Sequence, residues 1–563
     1  MKRLIIAIVL AVPVLLAGQS SPGLDPASIL QPLAANWPTY SGDYTGRRYS
    51  ALTAINRGTL DRIGLAWTTR FTAGAGPDGL GNGVPTGGRG GSAPVPVVVG
   101  GLGTGELNTG GPAAIRGSIL VVDGTLYVSA PDNAWAVDAR DGTVLWHYYW
   151  KTRGGTHTGH RGLGMWHGYL FMEMHDDYLV SLDAKTGHER WRREISDFDQ
   201  QYFSSMAPVI VGDHVLVGTG DDLDAPGFLQ SFDPETGALQ WKFYTVPMKP
   251  GDPGLETWSS LDAARHGGAQ VWVPGSYDPD THLYIFGTGN PTPAYTVGRG
   301  EGDNLFTCSL VAVDVETGKM AWYFQTSPHD MHDWDSTQTP VLADAPFGGR
   351  PRHLVLTATR NGYFFVLDRV TGEHLVTTKF GSAANWALGI DEKGRPTRNP
   401  AKDATIPGSI VTGSTTNWPP PAFSPDTGLF YVPENNSYSI FYLMDPDPRG
   451  SMGLGGTQSA AVALAGNFIT AIDYRTGKAA WRHELVGGGG ATGLLATAGG
   501  LVFAGDGAGN LVGFDATTGD AIWHARIGDV SNAPETYELD GRQYLLTAAG
   551  DGLFAFVLND ESR

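Results

Sequence analysis

Cysteine is almost absent: Cys308 is alone in 563 residues. No internal disulfide can form, so a life outside the cytoplasm has to rest on core size rather than on cross-links. No CxxCH run occurs, which leaves this sequence without a site for covalent haem c. Charge is sparse and lopsided: 17% of residues are charged, and 38 Lys and Arg against 57 Asp and Glu give a net −19. Such an acidic balance argues against nucleic acid as a partner. Long apolar runs are missing too. The run from Leu4 to Ala17, broken by Pro13, is too short for an ordinary spanning helix, and nothing later is long enough. Preceded by Lys2 and Arg3, it reads as an export signal over residues 1–18, with no cysteine after it to carry a lipid. The expectation is a periplasmic or secreted protein without an integral membrane segment, a retained anchor being the alternative.

What is abundant is glycine, 79 residues or about twice the usual share, together with 16 Trp and 41% hydrophobic side chains. A turn-rich, aromatic-rich chain able to bury a large core is globular, so disorder, collagen-like periodicity and long coiled coils are excluded.

An internal repeat organises that material. An aspartate is followed by Gly four residues later and by Trp eight residues later: Asp138, Gly142 and Trp146 in AVDARDGTVLW, then the sets ending at Trp191, Trp241, Trp322, Trp481 and Trp523. A seventh copy keeps Asp368 and Gly372 but has Val376 in place of the ring. Each copy predicts strand, tight turn and strand, with the Trp as a wedge between neighbouring small sheets. Radially repeated sheets bury faces that none could bury alone, so the predicted fold is an all-β propeller with tryptophan-docking repeats.

A unit of about 45 residues fits the Asp positions from 138 to 515 roughly eight times, giving an eight-bladed β-propeller, with seven blades as the alternative. The wide gaps after Asp233 and Asp368 hold either degenerate blades or long loops. Residues 19–563 form a single propeller domain in this reading, closed by pairing of GLAWTTRF (64–71) with the C-terminal segment. Residues 72–117, rich in Gly and Pro, are expected to form a long loop over one face.

Several stretches are more specific: NWPTYSGDYTGRRYSALTAINRGTLDRIGLAW (36–67), FGTGNPTPAY (286–295), SPHDMHDWDSTQTPVL (327–342), RNGYFFVLDR (360–369), NWPPPAFSPDTGLFYVP (417–433) and ATAGGLVFAGDGAGNLVGFDATTG (496–519). Together with the repeats they resemble the quinoprotein alcohol dehydrogenases over nearly the whole exported chain. The resemblance implies an eight-bladed propeller holding pyrroloquinoline quinone (PQQ) and Ca²⁺ near its axis.

In HDMHDWDS, His329, Asp330, His332 and Asp333 crowd around Asp335. The run reads either as a solvent-facing polar turn or as a catalytic constellation. The resemblance implies the latter, with Asp335 as the general base that takes the hydroxyl proton as hydride leaves carbon. The HxxH pair is weak evidence for zinc without a third ligand. Calcium needs hard oxygen ligands, and the resemblance assigns Asp222, Asn290 and Asp335. Asp221 and Asp224 are rivals to Asp222, and an ordinary polar turn also fits the DDLD run. Lanthanide-using relatives carry a further Asp where this chain has Thr337, which favours calcium.

For the quinone, the resemblance implies Trp272 as the flat support, Arg161, Arg360, Asn417 and Trp418 as contacts, and Ser205 and Gln270 as weaker transfers. A blade-packing Trp is the other reading of Trp272. Arginine suits a planar cofactor bearing three carboxylates, through paired charge-assisted hydrogen bonds. Three departures stand out. GGTHTGHRGL (154–163) lacks the two adjacent cysteines that roof the quinone in many relatives, leaving His157 or His160 to cover that face. A Glu that contacts the cofactor in relatives is replaced around Arg116, and the last blade reads VGGGGATGLL (486–495) where WNGG is expected.

The reading that follows is a periplasmic PQQ- and Ca²⁺-dependent dehydrogenase oxidising a small-molecule alcohol, with electrons passed to a separate cytochrome c or similar acceptor. The alternatives are a non-catalytic propeller scaffold for protein–protein interaction, and a PQQ dehydrogenase for sugars or polymeric alcohols.

Overall fold

The computed structural model describes residues 23–75, 95–105, 112–155, 159–220, 222–295, 298–443, 457–487 and 492–559. The export signal, His157, Asp221 and most of 76–111 lie outside the described residues. Among those described, eight sheets of four or five strands follow one another along the chain, with one two-stranded ribbon, Ala387–Ile390 against Pro396–Arg398. The chain is an all-β propeller. The described residues include one α-helix, Leu261–Arg265, and no helix long and apolar enough to cross a membrane.

The second sheet shows the plan: Gly164–Trp166, Tyr169–Met174, Tyr178–Asp183 and Glu189–Glu194 run antiparallel from the inside of the ring outward. The repeat sits at the turn before each outermost strand. The Asp183 carboxylate accepts from the backbone N–H of Thr186 (2.8 Å) and from its hydroxyl (2.8 Å), closing the turn. Gly187 then takes φ +72°, and a Cβ there would lie 2.7 Å from the Trp146 ring of the preceding sheet. The motif therefore joins two sheets rather than one hairpin. The Trp146 indole also donates to Ala184 O (3.0 Å).

The same contact passes around the molecule. Trp191 lies on Gly237, Trp241 on Gly318, Trp322 on Gly372 and Trp481 on Gly519. Where Val376 replaces the ring, Val376 and Thr378 lie against Gly477 instead. The last sheet is built from both ends of the sequence: Ile63–Arg70 pairs antiparallel with Gly552–Leu558. Trp67 from this strand lies on Gly142 of the first sheet and donates to Ala139 O (3.2 Å), so the final sheet meets the first. A shared apolar cluster containing Leu501, Tyr537, Leu546, Leu126 and Val128 fills the space between them.

Of the two readings of the wide gaps, long connections hold: apart from the two-stranded ribbon, the described residues there add no further sheet, and Ser276–Asp278 and Leu283–Gly287 are the first two strands of the sheet whose turn carries Asp314. Ala422–Ser424 and Leu429–Leu443 likewise belong with the sheet of Asp473. Long connections account for the irregular spacing. The segment expected as a loop contributes a strand, Val97–Gly101, which pairs in parallel with Val144–Lys151 on the outer edge of the first sheet.

Candidate functional site

The connection between the fourth and fifth sheets carries HDMHDWDS. Its shape is fixed by Asp330, whose carboxylate accepts from the backbone N–H groups of His332 (3.1 Å) and Trp334 (3.0 Å). Trp334 is driven into the core, stacked on His332 at 4.0 Å and tilted against Trp386. With Trp334 anchored, Asp333 and Asp335 on either side both reach Arg360. The two histidines do not converge on Asp335. His329 Nδ1 bonds to Gly302 O (2.7 Å) and His332 Nε2 to Lys402 O (2.7 Å), so both fasten the loop to its neighbours.

Asp335 is fully buried. One oxygen accepts from the backbone N–H of Asn290 (2.7 Å), and the other pairs with Arg360. Asn290 is brought there by GTGN, whose first glycine permits close approach: a Cβ on Gly287 would lie 1.8 Å from Ser336 O. Arg360 comes from the turn between the second and third strands of the fifth sheet. Its guanidinium grips both oxygens of Asp333 at 3.1 Å, and its Nε donates to Ser414 Oγ (3.1 Å). This fork holds Arg360 in place while it pairs with Asp335. Tyr295 adds a hydrogen bond to Asp333 (3.1 Å).

Asp222 follows the inner strands of the third sheet, in left-handed backbone at φ +58°. Burial, reinforced by the Asp335 charge, raises its pKa, while Arg360 and the Asn290 amide oppose the shift. Burial raises the Asp333 pKa still more clearly, against the pull of Arg360. Asp224 faces elsewhere, 60% exposed at its side chain and 3.2 Å from His266, which removes it as a rival to Asp222.

Asp222, Asp333 and Arg360 share the wall of a cavity of about 390 Å³ with Arg161, Ser205, Trp272, Asn417 and Trp418. The Arg161 guanidinium lies 4.4 Å from the Trp272 ring centre and 5.4 Å from that of Trp418, and donates to Ser205 O (3.1 Å). Asn290 and Asp335 sit directly behind the wall through their bonds to each other and to Arg360. Gln270 does not line the cavity: its amide donates to Leu223 O (3.2 Å) and Ala225 O (2.9 Å), supporting the loop that carries Asp222. Arg116, Phe203, Gly159 and His160 complete the wall. The Asp333 fork, Tyr295 and Phe203 were not assigned roles from the sequence. The first could be suspected from a second carboxylate two residues before Asp335, whereas Phe203 carries no motif.

The oxygens beside this cavity test whether a hard cation fits. Asp222 Oδ1 and Asn290 Oδ1 are buried without a hydrogen-bond partner among the described residues, next to the buried carboxylate of Asp335. Unsatisfied buried acceptors beside a carboxylate suit an oxygen-seeking cation. No group of three His, Cys, Asp or Glu among the described residues is arranged for a metal; the set here is two carboxylates and an amide. A flat polyanion also fits the remainder of the space, since an indole face and three arginines, 116, 161 and 360, surround it.

Comparison with known proteins adds relatives to this geometry. The family model described as the β-propeller domain of glucose, ethanol and alcohol dehydrogenases, named for PQQ, matches residues 37–385. A model for the outer membrane protein assembly factor BamB matches residues 465–560. A quinohemoprotein alcohol dehydrogenase of Comamonas testosteroni is 33% identical over 92% of this chain and 73% of its own length. The quinoprotein alcohol dehydrogenase PedH of Pseudomonas putida is 34% identical over 77% of this chain and 78% of its own. The solved structure of a Comamonas testosteroni quinohemoprotein alcohol dehydrogenase superposes with a TM-score of 0.82 at 29% identity, over 97% of this chain and 84% of that one. A europium-containing methanol dehydrogenase superposes with a TM-score of 0.78 at 25% identity, over 94% and 99%.

Proposed function

This chain belongs to the PQQ-dependent alcohol dehydrogenase family, and we propose that it oxidises an alcohol to the aldehyde or ketone with Asp335 as general base and Ca²⁺ held by Asp222, Asn290 and Asp335. The observation that carries the reading is the meeting of two partnerless oxygens, on Asp222 and Asn290, with the buried Asp335 carboxylate immediately behind the wall of the cavity that Asp222 and Trp272 line. When bound, PQQ supplies the two-electron acceptor, with the cation polarising its carbonyl.

The chain's own residues do the rest. Trp272 offers the flat support, and Arg161, Arg360 and Arg116 meet negative charge. Asp335 takes the proton from the substrate hydroxyl; the Asn290 N–H and Arg360 fix which way its oxygens face.

The finer features belong to the same proposal. The eight sheets are eight blades of a closed ring, a reading supported by Trp-on-Gly contacts at six of the junctions, by Val376 and Thr378 on Gly477 at another, and by Trp523 against Phe556 of the last sheet at the eighth. Calcium is favoured over a trivalent ion because Thr337 supplies no further charge. The export signal supports a periplasmic site of action. The net −19 supports a basic cytochrome c or similar acceptor as the electron partner. A non-catalytic scaffold requires none of the convergence about the cavity.

The test is to load purified protein with PQQ and Ca²⁺ and assay a panel of alcohols with an artificial electron acceptor. Turnover should require both additions. Equal activity with zinc and no PQQ would overturn the mechanism.

A further inference from the structure

Next to Arg161, one of the two histidines expected to cover the quinone face in place of paired cysteines is left with an unmet need. His160 is 5% exposed and stands in the wall shared by the 390 Å³ cavity and a smaller neighbouring one of about 190 Å³. Its Nδ1 lies 3.2 Å from the backbone nitrogen of Gly162, whose N–H points at it. A backbone amide can only donate, so Nδ1 is the unprotonated nitrogen. Burial and the neighbouring Arg161 charge push the imidazole pKa down to about 3, so the ring is neutral at ordinary pH. A neutral imidazole carries one N–H, which must then sit on Nε2. Nε2 is buried and has no hydrogen-bond partner among the described residues. A buried donor left unpaired costs free energy, and neighbouring protein groups do not relieve it here.

We propose that His160 is a cofactor-binding residue, whose Nε2–H donates to an oxygen of the quinone bound in the larger cavity beside Arg161. The inference rests on the reading that this cavity takes PQQ. A ligand edged by carboxylates and ring carbonyls offers acceptors of the kind a fixed N–H donor selects. His160 thereby adds a fixed neutral donor beside the guanidinium charges of Arg116, Arg161 and Arg360, giving direction where the arginines give attraction. The smaller cavity shares only Arg116, Gly159 and His160 with the larger and is otherwise lined by Ala and Pro, namely Ala73, Pro112, Ala113, Ala114, Ala130 and Pro131. It offers Nε2 no side-chain acceptor.

The decisive measurement is PQQ binding, followed by quenching of tryptophan emission in Ca²⁺-saturated protein. His160→Leu should weaken binding by about tenfold, the scale of one hydrogen bond, whereas His160→Gln, which keeps an N–H near the Nε2 position, should recover most of it. In ¹⁵N-histidine-labelled wild type, the His160 ring should be the Nε2-protonated tautomer before loading, and that N–H resonance should move when PQQ is added. Near-UV circular dichroism checks that both variants fold. Equal PQQ affinity in wild type and folded His160→Leu overturns the inference, as does an Nδ1-protonated ring, which needs no variant to detect. Failure of wild type to bind PQQ at all would instead overturn the function on which it rests, and the two results cannot be confused.

Discussion

Replacing Asp335 by Asn tests the proposed chemistry with little change of shape. The amide oxygen can still accept from the Asn290 N–H now bonded to the carboxylate at 2.7 Å. The other position becomes an NH₂ facing Arg360, so that ion pair is lost and two donors oppose one another. Arg360 remains gripped by both oxygens of Asp333 at 3.1 Å and by Ser414, so it should stay in place. The fold and the wall of the cavity are therefore retained, and the change falls on the group that takes the proton. Removing a general base costs about 10² to 10⁴ in rate, or about 3–5 kcal/mol of barrier. Because one cation ligand also loses its charge, Ca²⁺ must be supplied at saturation. The assay is steady-state turnover of a responsive alcohol with an artificial acceptor, beside a PQQ titration on the same preparation. The expectation is kcat lowered by about 10² or more with PQQ affinity changed by less than about tenfold. A variant that binds PQQ and keeps full kcat would refute the role of Asp335.

Asp222→Ala removes a cation ligand without entering the proton-transfer step, so about 10- to 100-fold more Ca²⁺ should be needed for half-maximal activity, measured by titrating metal into chelated enzyme. Gly318→Ala should destabilise the fold by roughly 1–3 kcal/mol, because φ is +66° and the new Cβ would lie 2.5 Å from Trp241; the midpoint of urea unfolding reports it. His147 predicts a pH effect: burial pushes its pKa down to about 3, below the ordinary 6.5 of the unfolded chain. Its contribution is fully present above pH 6.5 and is lost as pH falls toward 3, by about 2 kcal/mol at pH 5. Urea titrations at pH 8 and pH 5 should show His147→Gln losing less stability on acidification than wild type does.

The fold was legible because its connecting device is local and repeated. An Asp that closes a turn, a Gly in left-handed backbone and a Trp that covers the next such Gly are written within nine residues. Ring closure could be read from Trp67 for the same reason, since that strand carries the ring without its own turn. What the spacing concealed was loop length. The motif marks only the last turn of each sheet, so the stretches between Tyr244 and Ser276, between Gly287 and Ser309 and between Lys379 and Ala422 widen the apparent period without adding a further four-stranded sheet. Val97–Gly101 escaped notice because VVVGG has no two-residue alternation, and an outer-edge strand that is mostly half exposed needs none.

At the site, the residues with a short motif around them, Asn290 in GTGN and Asp335 in HDWD, were assigned from sequence and lie together. What went unread were bonds between distant partners, since Arg360 was expected only as a quinone contact. Asp333 and Arg360 are 27 positions apart, and only the packing of the fourth sheet against the fifth turns them into a fork. Gln270 was placed by motif alignment, yet the fold uses its amide on the carbonyls of the Asp222 loop. His160 is the opposite case: its significance lies in one unpartnered atom, which depends on the Gly162 N–H fixing the tautomer. The departures from the family text, no paired cysteines and Arg116 for a Glu, fall on the wall around the quinone space. The oxygen set beneath it retains an acid, an amide and the Asp335 carboxylate. Substitution on that wall alters how tightly and which way round a flat ligand sits, while changes in the oxygen set would alter the chemistry. Variation in this chain is therefore expected to show in cofactor affinity and substrate choice before it shows in reaction type.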